Sequence, residues 1–246
     1  LIQNTMEKKK VSVVTGGSGF VGSHLVDLLI NEGHEVRCIV RKSSSLKWLQ
    51  NKDVKIFDCG LFDREKLTDL LKDADYLYHI AGVVKAKTKE GYYKGNVETT
   101  RTLLEALENS GNKNIQRVVI MSSQTACGPS LNGEVCNEET IPHPITTYGR
   151  SKRAQEELAL TYKDKFPITI TRAPAVYGER DTEIYLVFKT YKQGLLTVIG
   201  FDKKELSLIH VADLVRGVYE SSLSEKAIGE IYFVSSEEFY TWEVVG

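Results

Sequence analysis

Gly16, Gly19 and Gly22 stand three residues apart between an apolar run at 11–14 and a helix-like stretch at 23–31 that Gly33 closes. This limits folding more than any other feature of the chain. A glycine turn between a buried strand and a helix brings backbone N–H groups close around an anion at the positive end of the helix. Gly17, Gly19 and Gly22 also satisfy Gly-x-Gly-x-x-Gly. Gly16, Ser18, Gly19, Phe20, Val21 and Gly22 are therefore expected to cradle the pyrophosphate of a dinucleotide. The plainer alternative is a glycine-rich turn that holds nothing; the strand before it and the helix after it favour the dinucleotide.

The alternation continues. Apolar runs at 35–40, 54–57, 76–80, 118–121 and 168–171 read as strands, and the periodic stretches 64–71, 97–109 and 151–162 read as helices. The expected fold is α/β: a Rossmann-type doubly wound parallel sheet with helices on both faces. Residues 1–10 read as a tail, 11–177 as the dinucleotide-binding domain, and 178–246 as a small, incomplete C-terminal substrate-binding region. In that region, 182–202 reads as a helical insertion with a loop. Segments near 209–221 and 231–234 are expected to return to the main sheet, and Thr241-Trp242-Glu243 reads as the start of a helix.

With 246 residues and 41% apolar content, the chain can build one sizeable core. Its 32 Lys and Arg nearly balance 33 Asp and Glu, so no global field draws it to nucleic acid or an anionic membrane. No run of some eighteen apolar residues occurs. Cys38, Cys59, Cys127 and Cys136 lack Cys-x-x-Cys spacing and read as reduced thiols, which makes the cytoplasm the expected location. His24, His34, His79, His143 and His210 do not pair at metal-ligand spacing, so no metal is expected. His79 and His210 lie in apolar strands and read as satisfied core histidines.

The catalytic candidates come later. Tyr148 and Lys152 lie four apart, which on a helix puts phenol and ammonium on one face. A tyrosine hydroxyl ionises near pH ~10 unless a nearby positive charge favours the phenolate. Lys152 would supply that charge, and Ser123 would hold a carbonyl or alcohol oxygen while Tyr148 moves the proton. At the end of the second strand, where an acid usually selects NAD, stand Arg41 and Lys42. A guanidinium suits a 2′-phosphate, so NADP is expected over NAD; the competing reading is a pair of solvated loop charges. Residues 85–93 read as a charged loop, solvated or part of a substrate loop. Trp48 with Leu46 and Leu49 reads as a short amphipathic helix.

Taken together, the glycine loop, Asp58-Cys59, Tyr78-His79-Ile80-Ala81-Gly82, Asn96-Val97, Ser122-Ser123, Tyr148-Gly-Arg-Ser-Lys152, Arg172-Ala-Pro-Ala-Val-Tyr-Gly178 and Ile209-His-Val-Ala-Asp213 resemble the extended short-chain dehydrogenase/reductase family, also called the NAD-dependent epimerase/dehydratase family. The resemblance implies that Asp58 accepts the adenine amino group, with Cys59 beside it. It further implies that Ala81 and Gly82 line the cofactor, that Tyr148 also contacts the cofactor, that Lys152 also bonds the nicotinamide ribose, and that Ala173 and Pro174 touch the nicotinamide end. Asn96 has two readings, a cofactor-side residue and a helix N-cap. A homodimer through helices near 97–107 and 151–160 is implied as well.

Two departures matter. Nucleotide-sugar enzymes of this family usually carry Asn where Ala175 stands and Arg where Leu206 stands; each loss removes a polar hold on such a substrate. Cys127 also replaces a common Tyr before Gly128. Residues 36–41 and 205–210 instead resemble the dihydroflavonol-reductase-like branch, which reduces carbonyls with NADPH. The expected activity is thus NADPH-dependent reduction of a small apolar ketone or aldehyde, or its reverse. The alternatives are a nucleotide-sugar epimerase or dehydratase with tightly bound NAD and, third, a non-catalytic NADP-sensing scaffold.

Overall fold

The computed structural model describes residues 8–131, 133–192, 205–236 and 238–241. Expectations for 1–7, for the later part of 182–202 and for Trp242-Glu243 lie outside the described residues.

Apolar residues on both sides of each strand are what a parallel sheet covered on two faces requires. The strands β1 (Val11–Thr15), β2 (Glu35–Ile39), β3 (Val54–Phe57), β4 (Tyr76–His79), β5 (Arg117–Ser123), β6 (Ile168–Ala173) and β9 (Ile231–Phe233) form one sheet in the order β3-β2-β1-β4-β5-β6-β9. Every pairing in it is parallel. A smaller sheet, β10-β8-β7, joins β7 (Ala175–Tyr177), β8 (Glu205–His210) and β10 (Phe239–Thr241).

Alternation along the strands divides the core in two. Val14, Tyr78, Val119 and Met121 pack with Leu25, Val26 and Leu29 of α1 (Phe20–Asn31) and Leu214 and Val218 of α7 (Val211–Leu223). Val13, Leu77, Val118 and Ile120 face the other way. They meet Leu67 and Leu71 of α2 (Arg64–Leu71), Leu103, Leu104 and Leu107 of α4 (Thr99–Asn109), and Ala159 of α5 (Thr147–Leu160). The chain moves outward from β1 to β3, then crosses back to β4 on the other side of β1. At that reversal the carboxyl ends of the strands leave a crevice, where open α/β sheets take ligands.

Several boundaries differ from expectation. α1 starts at Phe20, before Ser23, because the glycine loop has no apolar period to announce the helix. The segment after β4 is helical from Lys89: α3 (Lys89–Tyr93) runs through a wider π turn, Lys94–Glu98, into α4. Only the stretch before Lys89 is loop. The residues around Trp48 form turns, not a helix, although Leu49 is buried as expected. Ile231–Phe233 pairs with β6 in the main sheet, whereas 211–223 returns as helix α7 against the sheet and 209–210 end β8 in the small one. Thr241 ends β10 and so is strand, not a helix cap. The insertion after residue 182 opens with α6 (Glu183–Lys192).

Candidate active site

The glycine loop lies between β1 and α1. A Cβ on Gly22 would come within 2.1 Å of the Gly16 carbonyl oxygen, and one on Gly16 within 2.7 Å of the Ala81 nitrogen. Only glycines let the loop fold this tightly against α1 and the end of β4. α1 also has no side-chain cap and no acidic residue in its first turn. The helices α2, α3, α5 and α7, by contrast, are capped by Asp63, Thr88, Thr146 and His210. The first N–H groups of α1 are thus left without a side-chain acceptor, as a phosphate site needs. Gly22→Ala is expected to lower stability by about 1–3 kcal/mol, read as a drop in the urea midpoint.

Arg41 and Lys42 follow β2 and are exposed; among the described residues, no carboxylate pairs with either. Arg41 makes a backbone bridge to Cys59, and Gly60 N donates to Val40 O at 2.9 Å. The basic pair and exposed Asp58 therefore share one rim at the carboxyl ends of β2 and β3. Ala81 and Gly82 leave β4 in the same direction. Ala173 and Pro174 lie where β6 gives way to β7.

Ser123 ends β5, and α5 begins earlier than expected, at Thr147, so both Tyr148 and Lys152 are helical. Thr146 caps the helix by accepting from Gly149 N at 2.9 Å. Gly149 serves close contact: a Cβ there would come within 2.4 Å of Thr125 O. That close approach brings the first turn of α5 against the short turn after β5. Ser123 Oγ accepts from Thr125 N at 3.3 Å and Thr125 Oγ1 at 3.0 Å. Its own proton is then left for the nearby oxygen of Tyr148, whose pKa it pulls down.

The electrostatics differ from the expectation of a phenol lowered by lysine. Burial holds Tyr148 above its ordinary value; the Ser123 bond pulls it down and the nearby Tyr92 phenol pushes it up. Tyr92 packs with its ring centroid 6.2 Å from that of Tyr148. Lys152 Nζ donates to Met121 O at 2.7 Å. Burial lowers Lys152 to about 8, and the Glu156 carboxylate one turn along opposes that shift. Two ammonium hydrogens remain to be placed. A Cβ on Gly82 would lie 3.7 Å from Lys152 Nζ, so the absence of a side chain at residue 82 keeps the amine open on that side.

Asn96 is neither exposed nor a cap. It lies fully buried in the π turn, a distortion that often marks functional sites. Its Oδ1 accepts from Val83 N at 2.7 Å, and its Nδ2 donates to Ser151 Oγ at 2.9 Å. It ties the loop after β4 to α5. His79 is a satisfied core histidine, with Nδ1 2.8 Å from Thr15 Oγ1 and Nε2 2.9 Å from Thr100 Oγ1. Burial pushes it down to about 3, so it stays neutral. His210 is only half-buried and accepts from Ala212 N at the start of α7.

A group not foreseen from the sequence lies behind the site. Glu156 is fully buried and accepts from Ser122 Oγ at 2.6 Å and from Arg172 Nε and Nη2, both at 2.9 Å. The signal was present: Glu156 follows Lys152 by four residues on the same helix.

The NAD dependent epimerase/dehydratase family matches residues 12–240. The chain is 30% identical over 207 residues to a ceramide reductase of Caulobacter vibrioides, covering 84% of this chain and 59% of that protein. It is 26% identical over 216 residues to a sterol-4-alpha-carboxylate 3-dehydrogenase, decarboxylating, of Dictyostelium discoideum, covering 83% of this chain and 65% of that one. The chain thus spans about three fifths of the length of these relatives. The structure of UDP-glucuronic acid 4-epimerase from Bacillus cereus in complex with NAD superposes with a TM-score of 0.83 at 25% identity, covering 96% of this chain and 81% of that one.

Proposed function

The chain belongs to the NAD dependent epimerase/dehydratase family, and from that premise we propose that it is an NADPH-dependent reductase of apolar ketones or aldehydes, or the reverse dehydrogenase. The observation that carries this reading is the Tyr148 phenol near enough to Ser123, at the end of β5, for the serine hydroxyl to pull its pKa down, with buried Lys152 one turn along. In a bound complex, a nicotinamide supplies or accepts the hydride. Ser123 orients the substrate oxygen, and Tyr148, a protonated phenol here, donates the proton that the oxygen gains. Lys152 supplies positive charge behind the phenol and hydrogens for a ribose hydroxyl. The uncapped start of α1 and the glycine loop fit the pyrophosphate, and the rim of Asp58, Cys59, Arg41 and Lys42 fits the adenosine end.

The apolar substrate class rests on the surroundings. Val84, Leu131, Val135, Ile141, Ile145, Tyr185 and Leu186 are exposed, and all lie in segments that follow the carboxyl ends of β4, β5 and β7. Leu208 is buried and Leu206 half-buried in β8, with Ala175 opposite Leu208. Such a lining holds an apolar group better than a sugar diphosphate. Names of relatives that mention a ceramide and a sterol point the same way. The likeness to a UDP-glucuronic acid 4-epimerase supports a second reading, epimerisation with retained NAD.

The NADPH preference rests on Arg41. Arg41→Ala is expected to raise the KM for NADPH by roughly 10- to 100-fold, the loss of one charge-assisted bond, and to leave the KM for NADH nearly unchanged. The test is the rate of NADPH and NADH oxidation with a panel of apolar ketones. A faster reaction with NADH removes the role given to Arg41. NAD that co-purifies, with epimerised UDP-sugar and no net nicotinamide oxidation, supports the second reading.

A further inference from the structure

Cys127 and Cys136 are nine positions apart, yet the turn between them folds back so that the Cys136 thiol is near enough to push Cys127 up. Cys127 ends the short turn that follows Ser123 and is fully buried. Cys136 is half-buried, and its Sγ lies 3.9 Å from the carbonyl oxygen of Gly128, the residue after Cys127, and 3.9 Å from Ser130 Oγ. Cys127 O also accepts from His143 N at 2.7 Å. The loop from 128 to 146, which carries exposed Leu131, Val135, Ile141 and Ile145 and joins the strand of Ser123 to α5, is therefore anchored at Cys127 and folds back over it. Among its described residues there is no helix or strand.

We propose that Cys127 and Cys136 are a dithiol site that closes to a reversible disulfide under a peroxide, pinning this loop beside Ser123. The roles follow from access. Burial pushes Cys127 above its ordinary value, so it stays a thiol, while Cys136 meets the oxidant first. The Cys136 thiolate attacks one peroxide oxygen, the O–O bond breaks, and Cys136 becomes a sulfenic acid as the other oxygen leaves as water. Cys127 then gives up its proton and attacks Cys136 Sγ; the S–S bond forms, and the sulfenic oxygen leaves as a second water. Two thiols are oxidised and one hydrogen peroxide is reduced to two waters. A dithiol reductant reverses the step by exchange. Cys38, buried in the core, and Cys59, at the rim of β3, lie apart from this pair.

The test uses the whole chain, reduced and freed of reductant, then treated with a slight excess of hydrogen peroxide. The expected result is a loss of two of the four thiols in a denaturing thiol titration. Peptide mapping is expected to find Cys127 joined to Cys136, and dithiothreitol to restore all four thiols. Protease cutting within 128–146 should slow in the oxidised form and recover on reduction. Cys136→Ser should retain its remaining thiols under the same treatment, and the mapped bond in the unmodified chain carries the test even if that variant folds poorly. Four thiols that survive, a bond between any other pair, or Cys136 found as a sulfinic acid without a link to Cys127 would each overturn the proposal.

Discussion

Tyr148→Phe is expected to lower turnover by about 10²–10⁴-fold, a much larger effect than on the KM for NADPH, because the dinucleotide is held at many other points and the phenol oxygen alone moves the proton. The Tyr148 ring and its packing against Tyr92 survive in the variant, so loss of fold does not confuse the measurement. Ser123→Ala is expected to be milder, since it removes an orienting hydroxyl and leaves Thr125 near the oxygen. The pH profile carries a second signature. Lys152 is held at about 8, so its ammonium loses its proton as pH rises through that value and the rate is expected to fall on the basic side. The linkage has the opposite sign for stability. Between about 8 and its ordinary value of 10.5, the folded chain binds fewer protons than the unfolded chain at this residue, so its contribution to stability rises with pH across that window. A variant that keeps more than about a tenth of the turnover would remove Tyr148 as the proton donor.

Glu156→Gln is expected to cost about 3–5 kcal/mol, a much larger effect than any exposed ion pair in the chain would produce. Glu156 meets Arg172 through two hydrogen bonds of 2.9 Å and Ser122 through one of 2.6 Å, and neither charged group sees solvent. Without the carboxylate, the Arg172 guanidinium stays buried between Phe233, 5.2 Å from its ring centre, and an amide that offers it half as many acceptors. The same change removes the charge that opposes the burial of Lys152, so the basic limb of the pH–rate profile should move to lower pH. Urea denaturation measures the first effect and the rate profile the second. For comparison, Lys85→Ala breaks an exposed pair with Glu183 and is expected to cost under about 1 kcal/mol. An equal cost for the two variants would show that the Glu156 cluster is not the internal support described here.

Much of this was legible in the order of residues. Strand positions follow directly from apolar runs that are buried on both sides, as Val13 and Val14 facing opposite halves of the core illustrate. The glycine spacing located the tight turn between β1 and α1, and Tyr148 with Lys152 located α5. Features decided by contacts between distant segments were not legible. The periodic stretch begins only at 151, and only Thr125, brought close by the fold, explains why a glycine stands at 149 in the first turn of α5. Asn96 had a plausible local use as a cap, but its partners are Val83 and Ser151, and a π turn is needed to aim it at them. The state of Tyr148 likewise depends on burial, which charge spacing along a helix does not report.

The central claim is that a hydride crosses between NADPH and an apolar carbonyl while Tyr148 supplies the proton. Its most direct test is to incubate the protein with NADPH deuterated at nicotinamide C4 and a panel of long-chain and cyclic ketones, and to follow the label. The account predicts deuterium on the new carbinol carbon of a product, formed by the unmodified chain and lost in Tyr148→Phe. Label that stays on the nicotinamide with every ketone, while a UDP-sugar is epimerised, would contradict it.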